Sequence, residues 1–223
     1  MFFGYQTSGI MQEANYNAQD PSKRLSFNGA EIKPGEVLFV DQNGDGVINE
    51  SDRTVIGNPN PDFVYALNTS LSYKNLTLDM AFNGVYGNEI VNANLIDECD
   101  VKNASKNVRK DAYFQAWTPE NKSNTYPKLG TQPNNVLSDR LVQDGSYFRL
   151  SALTLSYNMN LKKVKFIRSL VFSGTVNNVF CITKYNGYDP DVNSFSNDID
   201  RMGIDLASYP ASRSYVLGVS ATF

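Results

Sequence analysis

Apolar and polar residues alternate one by one along several stretches of the chain, a period of two rather than the 3.6 of an amphipathic helix, so the pattern predicts strands. From Phe63 the odd positions read Phe63, Tyr65, Leu67, Thr69, Leu71 and Tyr73, while the even positions read Val64, Ala66, Asn68, Ser70, Ser72 and Lys74. One face of such a strand is aromatic and aliphatic and the other mostly polar. Beyond a tight turn at Lys74 and Asn75, Leu76, Leu78, Met80 and Phe82 alternate with Thr77, Asp79, Ala81 and Asn83, which completes a hairpin. A third strand is predicted from Tyr147 to Asn158, with Leu153, Leu155 and Tyr157 opposed to Thr154, Ser156 and Asn158. A fourth covers Leu170 to Phe180, with Leu170, Phe172, Val176 and Phe180 on one side and Ser173, Thr175 and Asn177 on the other. The last runs from Tyr215 to Phe223, where Tyr215, Leu217, Val219, Ala221 and Phe223 alternate with Val216, Gly218, Ser220 and Thr222.

The connections differ in length. One is the short turn at Lys74 and Asn75; Gly84 to Asp139 and Lys184 to Ser212 are long and polar. Short turns at one end and long loops at the other are the pattern of an outer-membrane barrel, whose strands of about 10 residues, tilted near 45°, cross an apolar band of about 25 Å. Aromatic residues toward strand ends (Phe63, Tyr73, Tyr86, Tyr157, Phe180, Tyr215 and Phe223) suit interfacial girdles. The competing reading is a soluble, secreted calcium-binding β-sandwich used for adhesion or partner docking. It requires a second sheet over Tyr65, Leu67, Leu71, Met80 and Phe82. A short helix is expected between Ser105 and Trp117, ended by Thr118 and Pro119.

Composition removes several function classes. The chain of 223 residues has a formal charge of -3 with Lys and Arg scattered among acids, so nucleic acid is not an expected partner. It contains no histidine, which excludes Ser-His-Asp and Cys-His chemistry, and its cysteines, Cys99 and Cys181, lack CxxC spacing. No apolar run is long enough for a membrane helix, and Met1-Phe2-Phe3-Gly4-Tyr5 does not begin a secretion signal, so an export signal is expected on a longer parent chain.

One motif is chemically specific. Asp41, Asn43, Asp45, Gly46 and Asp52 occupy the first, third, fifth, sixth and twelfth places of a calcium loop. Calcium takes hard oxygen ligands, so the side chains of Asp41, Asn43 and Asp45 would converge on the ion, with the Val47 carbonyl, Asn49 directly or through water, and Asp52 closing the site. Gly46 allows the sharp turn and Ile48 would anchor the loop to the apolar layer beneath it. The preceding Val37 to Val40 reads as strand rather than helix, so the expected role of Ca2+ is structural, within an extracellular loop spanning 41–52. The alternative for the same residues is a turn held by Asx hydrogen bonds alone.

Other constellations carry less. Asp189, Asp191, Asp198, Asp200 and Asp205 are expected to be solvated loop acids rather than a carboxylate pair, and Trp117, Tyr126, Tyr185, Tyr188 and Tyr209 to pack the loops that contain them, the alternative being stacking on sugar rings. The sequons at Asn68, Asn75, Asn103 and Asn121 follow from the abundance of Asn. No catalytic residues are assigned and no enzyme activity is expected.

A resemblance joins these observations. Gly4 to Ile10, Pro34-Gly35-Glu36-Val37, and Asp41 to Asp52 continuing through Gly57-Asn58-Pro59-Asn60-Pro61-Asp62-Phe63 resemble, in order, the C-terminal barrel region of the SusC/RagA family of TonB-dependent outer-membrane transporters of Bacteroidetes. Phe82 to Asn88, Trp117 to Asn121, Asp144 to Leu150, Asn177 to Phe180, Gly187-Tyr188-Asp189-Pro190 and the terminal Tyr215 to Phe223 are similar to further family blocks. The resemblance implies an all-β fold: about five or six C-terminal antiparallel transmembrane strands of a plugged barrel of roughly 22 strands, with long extracellular loops. It also implies residence in the outer-membrane bilayer and uptake of an oligosaccharide or oligopeptide with a SusD-like surface lipoprotein. TonB would be engaged only through N-terminal parts not present here. Since the smallest membrane barrels need about eight strands, residues 1–223 are expected to be one sector of a transporter rather than the whole.

Overall fold

The computed structural model describes residues 1–99, 107–131, 136–159, 161, 166–195, 198 and 201–223. Asn103, Asp200 and, from the stretch expected to hold a short helix, Ser105 and Lys106 lie outside the described residues. The chain divides into two compact units: Met1–Pro59 with Glu89–Gln143 and Val192–Ala207, and Asn60–Asn88 with Asp144–Asp191 and Ser208–Phe223.

The second unit is built on a five-stranded sheet. Its strands are β1 (Phe63–Tyr73), β2 (Leu76–Tyr86), β3 (Tyr147–Met159), β4 (Ser169–Thr183) and β5 (Ser214–Thr222), close to the stretches that the alternation predicts. They form an up-and-down meander in sequence order, each antiparallel to the next. The turn between β1 and β2 places Lys74 at φ 53, in the left-handed region. Asn75 then ties that turn to β3: its amide Nδ2 donates to the Asn158 carbonyl at 2.6 Å, and the Asn158 N–H donates to the Asn75 carbonyl at 2.8 Å.

Register aligns the apolar sets of all the strands. Leu71 lies opposite Leu78, which lies opposite Leu155; Tyr157 lies opposite Phe172, which lies opposite Val219. At the other end of the strands an aromatic row crosses the same face, with Phe63 stacked on Tyr86 at 5.1 Å and Phe82 on Phe148 at 5.4 Å. Phe148 also meets Phe180 at 6.2 Å. Such ring pairs contribute about 0.5–1.5 kcal/mol each beyond the area they bury.

Simple alternation along β3 places Tyr147 and Arg149 on the apolar face with Leu153 and Leu155. The structure does not, because Leu150 pairs with Phe82 while Ala152 pairs with Ala81, so β3 carries an extra residue, Ser151, against β2. This bulge exchanges the faces of the strand on either side of it. Phe148 and Leu150 join the apolar face, and Tyr147 and Arg149 turn to the polar one. The Ser151 hydroxyl fastens the bulge by donating to the Ala81 carbonyl at 2.9 Å.

The apolar face is open. Leu67 is 60% exposed and Leu217 90%, and Leu71, Leu155, Phe172 and Val219 are exposed with them. A sandwich would have buried these side chains, each at a gain of about 1.5–3 kcal/mol, so the soluble-sandwich reading is not supported. No helix among the described residues is long and apolar enough to cross a membrane, a finding that does not bear on crossing by strands.

Apolar burial is concentrated in the first unit. Short antiparallel pairs join Phe2–Gly4 to Thr54–Gly57 and Thr7–Ile10 to Val37–Phe39. Tyr5, Ile10, Met11, Ile32, Val37, Phe39, Ile48 and Trp117 form its main core, and Phe2, Val91 and Leu141 a smaller one. Among the described residues the expected helix is Lys110–Phe114, with Gln115 as its C-cap, and Trp117 just beyond it is buried. The Trp117 indole N–H donates to Gln12 Oε1 at 3.0 Å.

If the open face meets lipid, Leu67→Arg should destabilise the sheet by about 2–4 kcal/mol, and Asn68→Arg on the opposite face by much less. Urea unfolding of the lipid-reconstituted protein would check this, and equal costs would contradict the assignment of faces.

Candidate functional site

The acidic loop begins where the Val37–Phe39 strand ends, as its apolar run predicts. Gly44 and Gly46 adopt φ of 79° and 83°, which residues with a Cβ rarely adopt, and so let the chain fold back on its own side chains. Asp41 accepts the Gly44 N–H on Oδ1 and the Gly46 N–H on Oδ2, each at 2.7 Å. Asn43 accepts the Asp45 N–H at 2.9 Å and donates to Asp45 Oδ2 at 3.0 Å, while Asp45 Oδ1 accepts the Val47 N–H at 2.8 Å.

The far end of the loop is a capped 3-10 turn, Glu50–Asp52. Asn49 accepts the Ser51 N–H at 2.9 Å and donates to the Val47 carbonyl at 3.0 Å. Asp52 is fully buried and joins both ends, accepting the Gln42 N–H at 2.9 Å and the Asn49 N–H at 2.8 Å. Ile48, also fully buried, enters the main core as expected of the anchoring residue.

All six predicted ligand residues, Asp41, Asn43, Asp45, Val47, Asn49 and Asp52, therefore belong to one hydrogen-bonded loop. Their donors are hard oxygens, the chemistry that fits a divalent cation such as calcium, and a carboxylate oxygen that accepts one N–H keeps a further lone pair. The Asx network is fully formed as well. Among the described residues no group of three His, Cys, Asp or Glu side chains is gathered closely enough to hold an ion. The backbone N–H of Gly46, with those of Gly44 and Asp45, holds the Asp41 carboxyl below the usual carboxylate range.

Elsewhere in this unit a second polar cluster stabilises the chain leading to Trp117. Asp111 accepts from Arg109 at 2.8 Å and 3.0 Å and from the Tyr126 hydroxyl at 2.8 Å, and these bonds hold its carboxyl far below the usual range. Asp139 similarly accepts the Thr7 N–H at 3.0 Å and the Thr7 hydroxyl at 2.7 Å.

Two of the acids expected to be solvated are not. Asp205 is 1% exposed and Asp189 8%, the latter paired with the buried Arg149. Asp191 is exposed, and Asp198 makes an open ion pair with Arg201 at 3.3 Å. The loop aromatics also divide. Trp117 and Tyr185 are buried as expected, but Tyr188 is 75% and Tyr209 91% exposed, so they do not pack their loops.

No family model matches the sequence. The TonB-dependent receptor P3 of Formosa agariphila is 32% identical over 234 residues, an alignment that covers 100% of this chain and 22% of that receptor. SusC of Bacteroides thetaiotaomicron, also a TonB-dependent receptor, is 30% identical over 196 residues, covering 86% of this chain and 18% of SusC. The chain belongs to the SusC/RagA-like TonB-dependent receptors. The RagAB peptide importer in its open-open state has the same fold over 100% of this chain and 22% of the matched chain, with a TM-score of 0.75 at 22% identity. This SusC/RagA-like chain thus spans about a fifth of the length of the relatives it matches. Receptors of this family are outer-membrane proteins, and the open apolar face of β1 to β5 is the one suited to lipid.

Loss of the Asp52 clasp in Asp52→Ala should cost about 1–3 kcal/mol, because the Gln42 and Asn49 N–H groups lose their acceptor; chemical unfolding would measure it. A depressed folded-state value means that the Asp41 contribution is fully present above the ordinary carboxylate range and is lost as pH falls through the lowered value. The amide proton shifts of Gly44 and Gly46 should follow that titration, and shifts indifferent to acid would contradict it.

Proposed function

We propose that this chain forms the C-terminal sector of the barrel of a TonB-dependent importer that carries oligosaccharides or oligopeptides across the outer membrane with a SusD-like surface lipoprotein. The single observation that carries the reading is the exposed apolar face of a five-stranded antiparallel meander, banded by aromatic rings and backed by a polar face. In an outer-membrane barrel such a sheet turns its apolar side to lipid and its polar side (Asn68, Ser70, Asp79, Thr154, Thr175) to the aqueous interior. A sheet in the order β1 to β5 has two free edges, and the remaining strands of the barrel would pair with them, since unpaired edge groups in lipid cost several kcal/mol each. The names of the similar proteins agree with this reading: several are TonB-dependent receptors, and RagAB is a peptide importer.

Within this reading the loop from Asp41 to Asp52 holds a calcium ion that stiffens an extracellular segment. Asp41, Asn43, Asp45 and the Val47 carbonyl would supply oxygens, with Asn49 and Asp52 closing the loop, and the ion would neutralise the carboxylates gathered there. It takes no part in translocation.

Cells lacking the gene should lose energy-dependent uptake of the oligomer that the intact receptor carries, and disruption of TonB should mimic that loss. Uptake unchanged by either would refute the import reading. Calcium should raise the protease resistance of the Asp41 to Asp52 loop in the native protein and not in Asp45→Ala; no calcium effect on the native loop would sink the cation proposal alone.

A further inference from the structure

The two ends of the five-stranded sheet differ in charge. At the end with the long loops, Asp62, Asp144, Asp189 and Asp191 are mixed with Arg149, Lys184 and Arg213, and Asp79 stands mid-strand on the polar face. At the other end the β1–β2 turn carries Lys74, and the connection from Asn160 to Arg168 between β3 and β4 carries Lys162, Lys163, Lys165 and Arg168. Those two connections together hold five cations and no acid, in a chain whose net charge is -3.

Lys74 and Arg168 belong to the described residues, and both are exposed. Backbone hydrogen bonds fix each at a strand end. The Lys74 turn is tied to β3 through Asn75 and Asn158, and the Arg168 N–H donates to the Thr222 carbonyl of β5 at 2.7 Å. The Lys74 ammonium lies 5.2 Å from the centroid of the Tyr73 ring, which belongs to the apolar face. Tyr73 lies opposite Leu76, Leu76 opposite Tyr157, and Tyr157 opposite Phe172, so an aromatic row crosses the apolar face next to the cations. Two residues further in, Leu71, Leu78 and Leu155 form the aliphatic band. Aliphatic band, aromatic row and cationic rim follow one another as in a membrane interface, where rings sit at headgroup level and long cationic side chains reach past them.

What meets this end follows from the face beside it. The apolar face is the side suited to lipid in an outer-membrane protein, so the headgroups of one leaflet abut the strand ends, and the end with the short turn is the periplasmic one. A rim of cations with no acid among them attracts headgroups that carry net negative charge, and zwitterionic headgroups far less. We propose that Lys74 and Arg168, beside the row of Tyr73, Tyr157 and Phe172, form a site for the headgroup of an anionic glycerophospholipid of the periplasmic leaflet. The ammonium and guanidinium meet the phosphate, and the rings meet the glycerol region and the upper acyl chains. The inference rests on the sheet crossing the outer membrane and is independent of what the receptor imports.

The test uses the intact receptor in phosphatidylcholine vesicles that contain a little phosphatidylglycerol or phosphatidylcholine bearing a photoreactive group on the headgroup. Mass spectrometry of the peptides holding residues 73–76 and 166–169 reads the labelling. The phosphatidylglycerol probe should label them at least about threefold more than the phosphatidylcholine probe. That ratio should fall to about one in K74Q/R168Q, and in the unsubstituted receptor at about 1 M NaCl, where the charges are screened. Equal labelling by the two probes in the unsubstituted receptor at low salt, a result that needs no variant, would overturn the proposal. Displacement of the phosphatidylglycerol probe by inorganic phosphate at constant ionic strength would make this a free-anion site and overturn the lipid assignment. A phosphatidylcholine with the photoreactive group on its acyl chain tests the frame separately: it should label Leu67 and Leu71, and if it does not, the lipid-facing assignment of the sheet fails whatever the headgroup probes report.

Discussion

Everything in the second unit follows from the need of a strand in lipid to pair each backbone N–H and C=O with another strand. An antiparallel ladder meets that need while leaving side chains free to segregate by face. The five strands run as an unbroken meander with aligned registers, so that one face collects Leu67, Leu71, Leu155 and Leu217 and the other collects Asn, Ser, Thr and Asp. The same ladder explains why apolar side chains are exposed without being a folding fault. Their solvent is the bilayer, and the aromatic rows near the strand ends suit its interfaces.

The bulge at Ser151 is the point where this ladder departs from regularity, and the departure has consequences. By exchanging faces within β3 it delivers Phe148 to the aromatic row and Arg149 to the polar side. A guanidinium on the lipid face would be costly; on the polar face it finds Asp189, and the pair remains buried. One extra residue thus serves the apolar band and the interior together.

The first unit obeys a different economy. Segments far apart in the chain, such as Met11, Ile48 and Trp117, meet in one core, so the long connections have packed interiors of their own. The acidic loop is part of that unit: Ile48 is sunk in the core while Asp52 clasps the loop ends, which leaves Asp41, Asn43 and Asp45 arranged around the two left-handed glycines.

The strands, their faces and the acidic loop were legible in the sequence because each is written in neighbouring residues: a period of two, a Gly at a place that needs positive φ, an apolar Ile48 between polar loop positions. The bulge was not legible, since two residues opposing one is a property of a pair of strands and leaves no mark on either alone. The burial of Asp189 was hidden for a similar reason, as its partner lies 40 residues away and faces it only after the bulge has turned it. The same holds for Trp117, whose bond to Gln12 spans 105 residues. Local alternation determined which residues form strands and which face meets lipid; only the tertiary structure decided which polar groups are buried, because a buried charge or donor is set by partners that sequence spacing does not bring together.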